Sequence, residues 1–216
     1  MTWWEALLLG LIQGLTEFIP VSSSGHLVLG QYLLGLDKEA ADVTFEVFVH
    51  FGTVLSILTV YWDDVAELVE EAWAGLRAPR AVPTRFAEND TFRLGVFILV
   101  TLVPTGVAYV LFREPLEQAF GSPRFTSAML VGTGVLLLLT RIGPRPDGDL
   151  SGVKAFVVGV AQSCALVPGI SRSGATICVA LYQNVAPERA ANFSFLMLLP
   201  VVLGGTVLKG LELMEQ

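Results

Sequence analysis

Residues 6–26 read ALLLGLIQGLTEFIPVSSSGH, and residues 155–175 repeat this pattern as AFVVGVAQSCALVPGISRSGA. The aligned copies have identical residues at six positions: Ala6 and Ala155, Gly10 and Gly159, Gln13 and Gln162, Ser22 and Ser171, Ser24 and Ser173, Gly25 and Gly174. Average composition would give roughly one or two identities over this length. Three differences are chemical, since Glu17, Ser23 and His26 align with Leu166, Arg172 and Ala175. One copy therefore carries a carboxylate and an imidazole, and the other a guanidinium.

The composition is typical of a membrane protein. Hydrophobic residues make up 53% of the chain and charged residues 15%, and the mean hydropathy is +0.65. By these values the chain is more apolar than an ordinary soluble domain. The net charge of −7 does not suit a polyanionic partner, so we expect no binding to nucleic acid.

Four stretches have the length and apolar character needed to cross a hydrocarbon core of about 30 Å, which takes about 20 helical residues. They are residues 43–62, 92–112, 125–142 and 193–213. The two repeated segments are also apolar, but prolines and serine-glycine turns break each of them into halves too short to cross. The sequence therefore predicts an all-α polytopic membrane protein with about four transmembrane helices and two re-entrant helical hairpins, at residues 5–36 and 152–186.

The distribution of lysine and arginine predicts the orientation. If the first hairpin returns to its own side, the loops that connect the spans, at residues 63–91 and 143–151, share one side of the membrane. That side holds Arg77, Arg80, Arg85, Arg93, Arg141, Arg145, Lys154 and Arg189, against Lys38, Arg113, Arg124 and Lys209 on the other. The excess places both connections in the cytoplasm of a multi-pass cell-membrane protein. The hairpins then enter from opposite sides, as in inverted repeats whose broken helices meet near the midplane to form a site.

The duplication also predicts the domain organisation. Residues 1–142 form the first repeat and residues 152–216 an incomplete second one, because three spans follow the first hairpin and one follows the second. Two C-terminal spans are thus expected to be missing, either because the chain is cut short or because it is naturally abbreviated. Glu5 is the only early charged side chain, which does not suit a signal peptide, so we expect the first residues to belong to the fold.

Both turns carry donors that suit an anion such as phosphate. Hydroxyl groups and approachable backbone N–H groups come from Ser22, Ser24 and Gly25 in the first turn, and from Ser171, Ser173 and Gly174 in the second. A helix that starts after such a turn adds the positive end of its dipole. Arg172 adds a fork of donors that matches phosphate oxygens. A serine-rich turn by itself would more simply be a helix cap.

Glu17 is the residue that most clearly suggests chemistry at membrane depth. It lies four residues after Gln13, on the same helix face. Glu17 could hold a divalent cation, magnesium or calcium, with the Gln13 carbonyl, or it could orient His26 for proton transfer. The simpler alternatives are that Glu17 pairs with Arg172 or a helix end, and that His26 makes a structural hydrogen bond. Glu46 and His50 are also four residues apart, and their side chains either line the cavity or hydrogen-bond to each other.

The segments GLTEFIPVSSSGH at residues 14–26 and ALVPGISRSGAT at residues 165–176 resemble the two signature regions of the undecaprenyl pyrophosphate phosphatase family, of the bacitracin-resistance type. The resemblance extends through TFEV at 44–47 and FSFLMLLP at 193–200. It implies an integral membrane hydrolase with inverted repeats and two re-entrant hairpins. Such enzymes remove the terminal phosphate of a polyprenyl pyrophosphate and return the monophosphate carrier to cell-envelope synthesis.

The resemblance also implies roles for individual residues. Glu17 matches the second acid of the family's Glu/Gln-x-x-x-Glu element, Ser23 its proposed nucleophile, and His26 its proposed acid-base or nucleophilic residue. Arg172 would bind the pyrophosphate together with Ser171, Ser173 and Thr176. Gln13 stands where many members carry glutamate, so a metal site would lose one negative charge. The nucleophile remains open between Ser23, His26 and an activated water.

The main alternative function is a secondary transporter or polyprenyl-phosphate flippase, because inverted repeats with broken helices recur in transporters. A transporter would move its ligand without cleaving a bond. The acid-phosphatase type of lipid phosphatase needs a second histidine in a later motif, and His50 has the wrong setting for it. The isoprenoid length and a possible homo-oligomer stay open.

Overall fold

The computed structural model describes residues 1–36, 43–142 and 146–214, without the side chains of residues 43, 44, 46, 47 and 208–214. Within these ranges the regular structure is helical, apart from an isolated bridge between Gly148 and Val185. The helices are α1 (Trp3–Glu17), α2 (Ser23–Leu33), α3 (Val43–Val60), α4 (Trp62–Arg77), a 3₁₀ turn (Pro79–Ala81), α5 (Val82–Glu88), α6 (Asp90–Phe120), α7 (Pro123–Leu139), α8 (Gly152–Cys164), α9 (Arg172–Tyr182), α10 (Pro187–Leu196) and α11 (Leu198–Met214). The prediction of an all-α protein is confirmed.

Side-chain caps determine where the hairpin helices begin. Thr2 and Glu5 form a reciprocal capping box at the start of α1. Ser22 caps α2 by accepting a hydrogen bond from the Gly25 N–H, and the aligned Ser171 caps α9 by accepting from the Gly174 N–H. The repeated serine therefore starts a helix in both copies.

Two of the four predicted spans have the length to cross a membrane in the described part of the chain. They are the α6 segment Asp90–Phe120, of 31 residues, and the α10–α11 segment Pro187–Val207, of 21 residues. α7, with 17 residues, and the apolar segment Phe48–Val60 of α3 are shorter. The spans predicted at residues 43–62 and 125–142 therefore stay predictions.

The segment between the first two predicted spans is more regular than a loop. Residues 63–91 are mostly helical, in α4, the 3₁₀ turn and α5. In α4 the apolar residues recur on one side, where Leu68 and Gly75 pack against Gly95 and Phe92 of α6, while five acids lie on another side. α6 also extends beyond the predicted end at residue 112. The helix kinks at Phe112 and then continues to Phe120.

The helices of each repeated segment pack on each other, α1 on α2 and α8 on α9. α7 packs against both α2 and α9, and α8 lies along α6. The α6–α8 contact is close at Gly159, where an added Cβ would lie 2.7 Å from the Cα of Thr101. Glycine at this position lets the two backbones approach.

The two turns touch each other. An added Cβ at Gly25 would lie 3.0 Å from the Cα of Gly169, and one at Gly174 would lie 3.1 Å from the carbonyl oxygen of Pro20. Gly169 has a φ of +95°, which a side chain would disfavour. Thr133 of α7 fixes the second turn, because its hydroxyl donates to the Gly169 carbonyl at 2.8 Å and accepts from the Ser171 N–H at 3.0 Å.

We expect Gly159→Ala to destabilise the protein, because the new methyl group would overlap the α6 backbone. Overpacking of this kind costs about 1–3 kcal/mol. Gly132→Ala is the control, since an added Cβ there meets nothing within 4 Å. The measurement is the thermal unfolding midpoint in detergent. Equal midpoints for the two variants would contradict the described α6–α8 contact.

Candidate active site

A cavity of about 220 Å³ lies where the two turns meet, a volume that holds about seven waters. Its wall combines polar side chains from both hairpins with residues of α3, α6, α8 and α11. The lining residues are Glu17, Ser22, Ser23, Ser24, His50, Thr105, Phe120, Gln162, Ala165, Leu166, Ile170, Ser171, Arg172, Ser173, Leu198, Val201 and Val202. Seven of the predicted site residues thus share one cavity.

Glu17 is the centre of the polar network in this cavity. Its Oε2 accepts hydrogen bonds from Gln13 Nε2 and from Ser23 Oγ, both at 2.5 Å. Its Oε1 accepts from Arg172 Nη2 at 3.3 Å. A carboxylate has about four lone-pair positions, and three are in use. Glu17 is therefore oriented by groups from both hairpins.

Arg172 forms a largely buried ion pair with Glu17, with side chains only 16% and 9% exposed. Its Nη1 also donates to the carbonyl oxygen of Ser194 on α10 at 3.0 Å. The structure thus contains the pairing that the sequence left as an alternative role of Glu17. The same guanidinium lines the cavity, where it is the donor group best suited to phosphate oxygens.

The turn serines form two equivalent sets. Ser22 Oγ lies 3.3 Å from Ser24 Oγ, and Ser171 Oγ lies 3.3 Å from Ser173 Oγ. All four hydroxyl-bearing residues line the cavity, which places the N-terminal ends of α2 and α9 at its wall. The backbones differ, because Ser22 has a φ of +69° and Ser171 a φ of −69°. Only the first turn is strained.

Five predicted residues are not among those that line this cavity. Gly25 and Gly174 pack between the turns. The Thr176 hydroxyl is buried and lies 2.7 Å from the Ser194 hydroxyl, and it also donates to the Arg172 carbonyl. Gln13 bonds to Glu17 but lines a second cavity of about 400 Å³ between α1 and α3. His26 is the fifth.

The ring of His26 contacts a backbone carbonyl group of the first turn. Its Nδ1 lies 2.8 Å from the Ser22 carbonyl oxygen, which the His26 N–H also contacts at 3.2 Å. A carbonyl only accepts, so Nδ1 carries the proton in this contact and Nε2 is the remaining ring nitrogen. The structure therefore joins His26 to the strained Ser22 and does not bring it to the described cavity wall.

The cavity includes residues that the sequence did not single out as a site. Thr105 of α6 and Gln162 of α8 lie on its wall, and Ser194 holds Arg172 from behind. His50 also lines the cavity, whereas the side chain of Glu46, its predicted partner, lies outside the described residues. A threonine inside an apolar span does not by itself indicate a functional site. Gln162 could have been predicted as a site residue, because it is identical to the aligned Gln13.

The oxygen atoms near Glu17, from a carboxylate and from amide groups, are of the type that divalent cations prefer. Among the side chains that the structure describes, no three of His, Cys, Asp or Glu are grouped to hold a metal ion. Two buried amide oxygens, Gln13 Oε1 and Gln162 Oε1, have no described hydrogen-bond partner. Magnesium commonly uses one or two carboxylates plus substrate phosphates. The residues therefore fit a cation shared with a phosphate-bearing ligand.

The fold and this cavity define an all-helical protein with two candidate membrane spans and a buried site of arginine, carboxylate and hydroxyl groups. The chain matches the family described as bacitracin resistance protein BacA over residues 6–216, and it belongs to that family.

Three curated relatives are similar over most of their length. An undecaprenyl-diphosphatase of Bacteroides fragilis is 39% identical over 217 aligned positions, covering 100% of this chain and 77% of the relative. One of Halothermothrix orenii is 40% identical, covering 93% and 71%. Undecaprenyl-diphosphatase 3 of Bacillus anthracis is 42% identical, covering 94% and 73%. The predicted family is confirmed.

We expect the Glu17–Arg172 pair to be strongly coupled in stability. Glu17→Gln or Arg172→Met alone leaves a buried charge without its partner, which costs about 3–5 kcal/mol. The double variant removes both charges and should lose less than the sum of the two single losses. The measurement is unfolding in detergent for all four chains.

An ion pair on the protein surface is the control for this comparison of single and double variants. Glu117→Gln affects the exposed pair with Arg113, whose side chains are 64% and 50% exposed, and should cost about 1 kcal/mol or less. Additive losses at Glu17 and Arg172 would contradict the ion pair.

Proposed function

We propose that this protein is an integral membrane phosphatase that hydrolyses undecaprenyl pyrophosphate, or a related polyprenyl pyrophosphate, to the monophosphate and inorganic phosphate. The reaction would return the lipid carrier to cell-envelope glycan synthesis. The observation that carries the proposal is the hydrogen bond from Ser23 Oγ to Glu17 Oε2 in the same cavity as Arg172. This arrangement joins a nucleophile, its proton acceptor and an anion-binding group, and the names of the relatives agree with it.

Pyrophosphate binding follows from the two turns. A pyrophosphate has two adjacent phosphoryl groups, and two helix N-termini with serine hydroxyls end at one cavity. Each N-terminus favours negative charge through free N–H groups and the helix dipole. The fork of Arg172 would neutralise the transferred phosphoryl group, where stabilising charge is the main task of the protein.

The hydrogen bond at Ser23 supports serine as the nucleophile. Ser23 Oγ would attack the terminal phosphorus while its proton passes to Glu17, and the bond to the bridging oxygen would break. The polyprenyl monophosphate leaves as an anion. Water would then attack the phosphorus of the phosphoserine, and the bond from phosphorus to Ser23 Oγ would break. Glu17 would return its proton to Oγ, and the inorganic phosphate would leave with the protons of the water.

Glu17 would hold the proposed magnesium or calcium ion. Such an ion, when bound, neutralises phosphate charge. Gln13 presents its amide nitrogen to Glu17, so its oxygen reaches the same ion only after the amide turns over. Glu17 and the substrate phosphates are the primary oxygen donors in this proposal.

We further propose that the hairpins α1–α2 and α8–α9 are re-entrant halves of an inverted repeat in a multi-pass cell-membrane protein, with α3 and α7 as additional spans. α1 has 15 residues and α8 has 13, fewer than the roughly 20 needed to cross. The connections at 63–91 and 143–151 would be cytoplasmic. The largely apolar α1–α3 cavity, next to Gln13, suits the isoprenoid tail. A homo-oligomer is compatible with this arrangement.

We expect the chain in detergent to release phosphate from undecaprenyl pyrophosphate, and chelation of divalent cations to stop the release. Ser23→Ala should lower the rate by at least about a thousandfold, because the nucleophile is lost. Glu17→Gln should lower it by about 10²–10⁴, as for a general base. Arg172→Lys keeps the charge but loses the fork, and should cost about 10²-fold.

The control is Ser127→Ala, because the Ser127 hydroxyl bonds within α7 to the Pro123 carbonyl, away from the cavity. It should match the parent protein. Acid quenching during turnover should trap phosphate on Ser23. Trapped phosphate on His26, or full activity of Ser23→Ala, would overturn the serine assignment, and a folded chain without any release would overturn the phosphatase.

Two substitutions separate the possible roles of His26. Asparagine places an N–H near the position of Nδ1 and can hold the Ser22 carbonyl, whereas glutamine places its polar end nearer Nε2. Because the described contact is through Nδ1, we expect His26→Asn to retain more phosphate release than His26→Gln. The reverse order would assign His26 to proton transfer at Nε2. The thermal midpoint of each variant shows whether the first turn is intact.

A further inference from the structure

The amide of Gln162 has a defined orientation. Its Nε2 donates to Thr105 Oγ1 at 3.0 Å. The Thr105 hydroxyl donates in turn to the Thr101 carbonyl at 2.9 Å, so its only proton is used and it can only accept from Gln162. The amide nitrogen therefore faces Thr105, and Oε1 is the atom left for another partner.

That partner is missing among the described residues. Gln162 is 1% exposed, its side chain lines the cavity beside Glu17 and Arg172, and its Oε1 is buried without a hydrogen bond. A buried acceptor left unpaired costs about 1–3 kcal/mol. Such an atom in the wall of a polar cavity indicates a ligand that the cavity is shaped to take.

The ligand that meets Oε1 must be a donor or a cation. Phosphate oxygens are themselves acceptors at neutral pH, so they would repel the amide oxygen. The guanidinium of Arg172 does not serve as this donor, because its described contacts are to Ser194 and Glu17 and Gln162 Oε1 has no described hydrogen-bond partner. A divalent cation at Glu17 is a ligand of the right chemistry, because carboxylate and amide oxygens suit magnesium and calcium.

We propose that Gln162 Oε1 is an oxygen ligand of the divalent cation held by Glu17, so that each hairpin contributes one ligand. This inference deepens the proposed phosphatase function and rests on it. The equivalent amide of the first hairpin, Gln13, is turned with its nitrogen to Glu17. The second copy has Leu166 at the position aligned with Glu17, so Gln162 has no carboxylate on its own helix and its oxygen stays available.

The packing of α8 on α6 keeps Gln162 in place. Gly159 lies one turn before it and brings the two backbones into contact near Thr101. The Thr105 hydroxyl lies 3.5 Å from the Gly159 carbonyl, so the same contact positions the group that orients the amide. A ligand oxygen fixed by packing and a hydrogen bond meets the need of a cation for defined geometry.

The test measures Mn²⁺ binding directly, from the loss of the free-ion EPR signal on titration of the full chain in detergent. Gln162→Met removes the oxygen and should raise the Kd for Mn²⁺ several-fold. Gln162→Glu adds a charged ligand and should lower the Kd by about tenfold. Both effects should be strongly reduced in a Glu17→Gln background, because the residues share one ion. Gln183→Met, at the other end of α9, is the control and should leave the Kd unchanged.

Measuring phosphate release with the same samples distinguishes the proposed cation site from the proposed phosphatase function. A Kd unchanged in both Gln162 variants would overturn the cation assignment, as would an absence of saturable Mn²⁺ binding to the parent chain. A fall in phosphate release without a change in Kd would also overturn it and would assign Gln162 to orienting water. If Mn²⁺ binding shifts as expected but the parent releases no phosphate, the cation site stands and the phosphatase function fails.

Discussion

The buried ion pair between Glu17 and Arg172 joins two hairpins that are far apart in the sequence. Neither charge is tolerable alone in apolar surroundings, because removing an ion from water costs several kcal/mol unless a partner compensates it. The contact at 3.3 Å therefore requires the two turns to meet. It also fixes where the other polar groups can lie, since Ser23 and Gln13 bond to Glu17 and the Ser194 carbonyl bonds to Arg172.

The ion pair gives the cavity a balanced charge before any anion enters. An entering phosphate would compete with Glu17 for Arg172 and bring further negative charge beside the carboxylate. This repulsion is the physical reason for the cation proposed at Glu17, which would let carboxylate and phosphate lie close together. Duplication followed by divergence suits this arrangement. The serine caps remain the same in both copies, while Glu17 and Ser23 occur only in the first copy and Arg172 only in the second.

Much of this arrangement was predictable from the repeated segments, because capping serines and turn glycines act locally. Ser22 and Ser171 begin α2 and α9, and seven of the predicted residues line one cavity. The contacts that individual side chains make with neighbouring helices were not predictable. Thr105 and Gln162 meet only because Gly159 lets α8 approach α6, and Thr176 turns toward Ser194 instead of the cavity. The helical α4 was missed because its acidic side suggested a loop, although its apolar periodicity indicated a helix.

The way in which Arg172 is held favours hydrolysis over transport. Arg172 contacts Glu17 of the first hairpin and Ser194 of α10 at the same time, and the turns pack backbone to backbone at Gly25 and Gly174. Alternating access moves one repeat against the other around a site. Such a movement here would separate the ion pair and leave two charges unpaired in apolar surroundings, at a cost of several kcal/mol. Hydrolysis requires only that the headgroup enter while the tail stays in lipid. A site held rigidly by both hairpins is then an advantage, because phosphoryl transfer depends on positioning and preorganised charge.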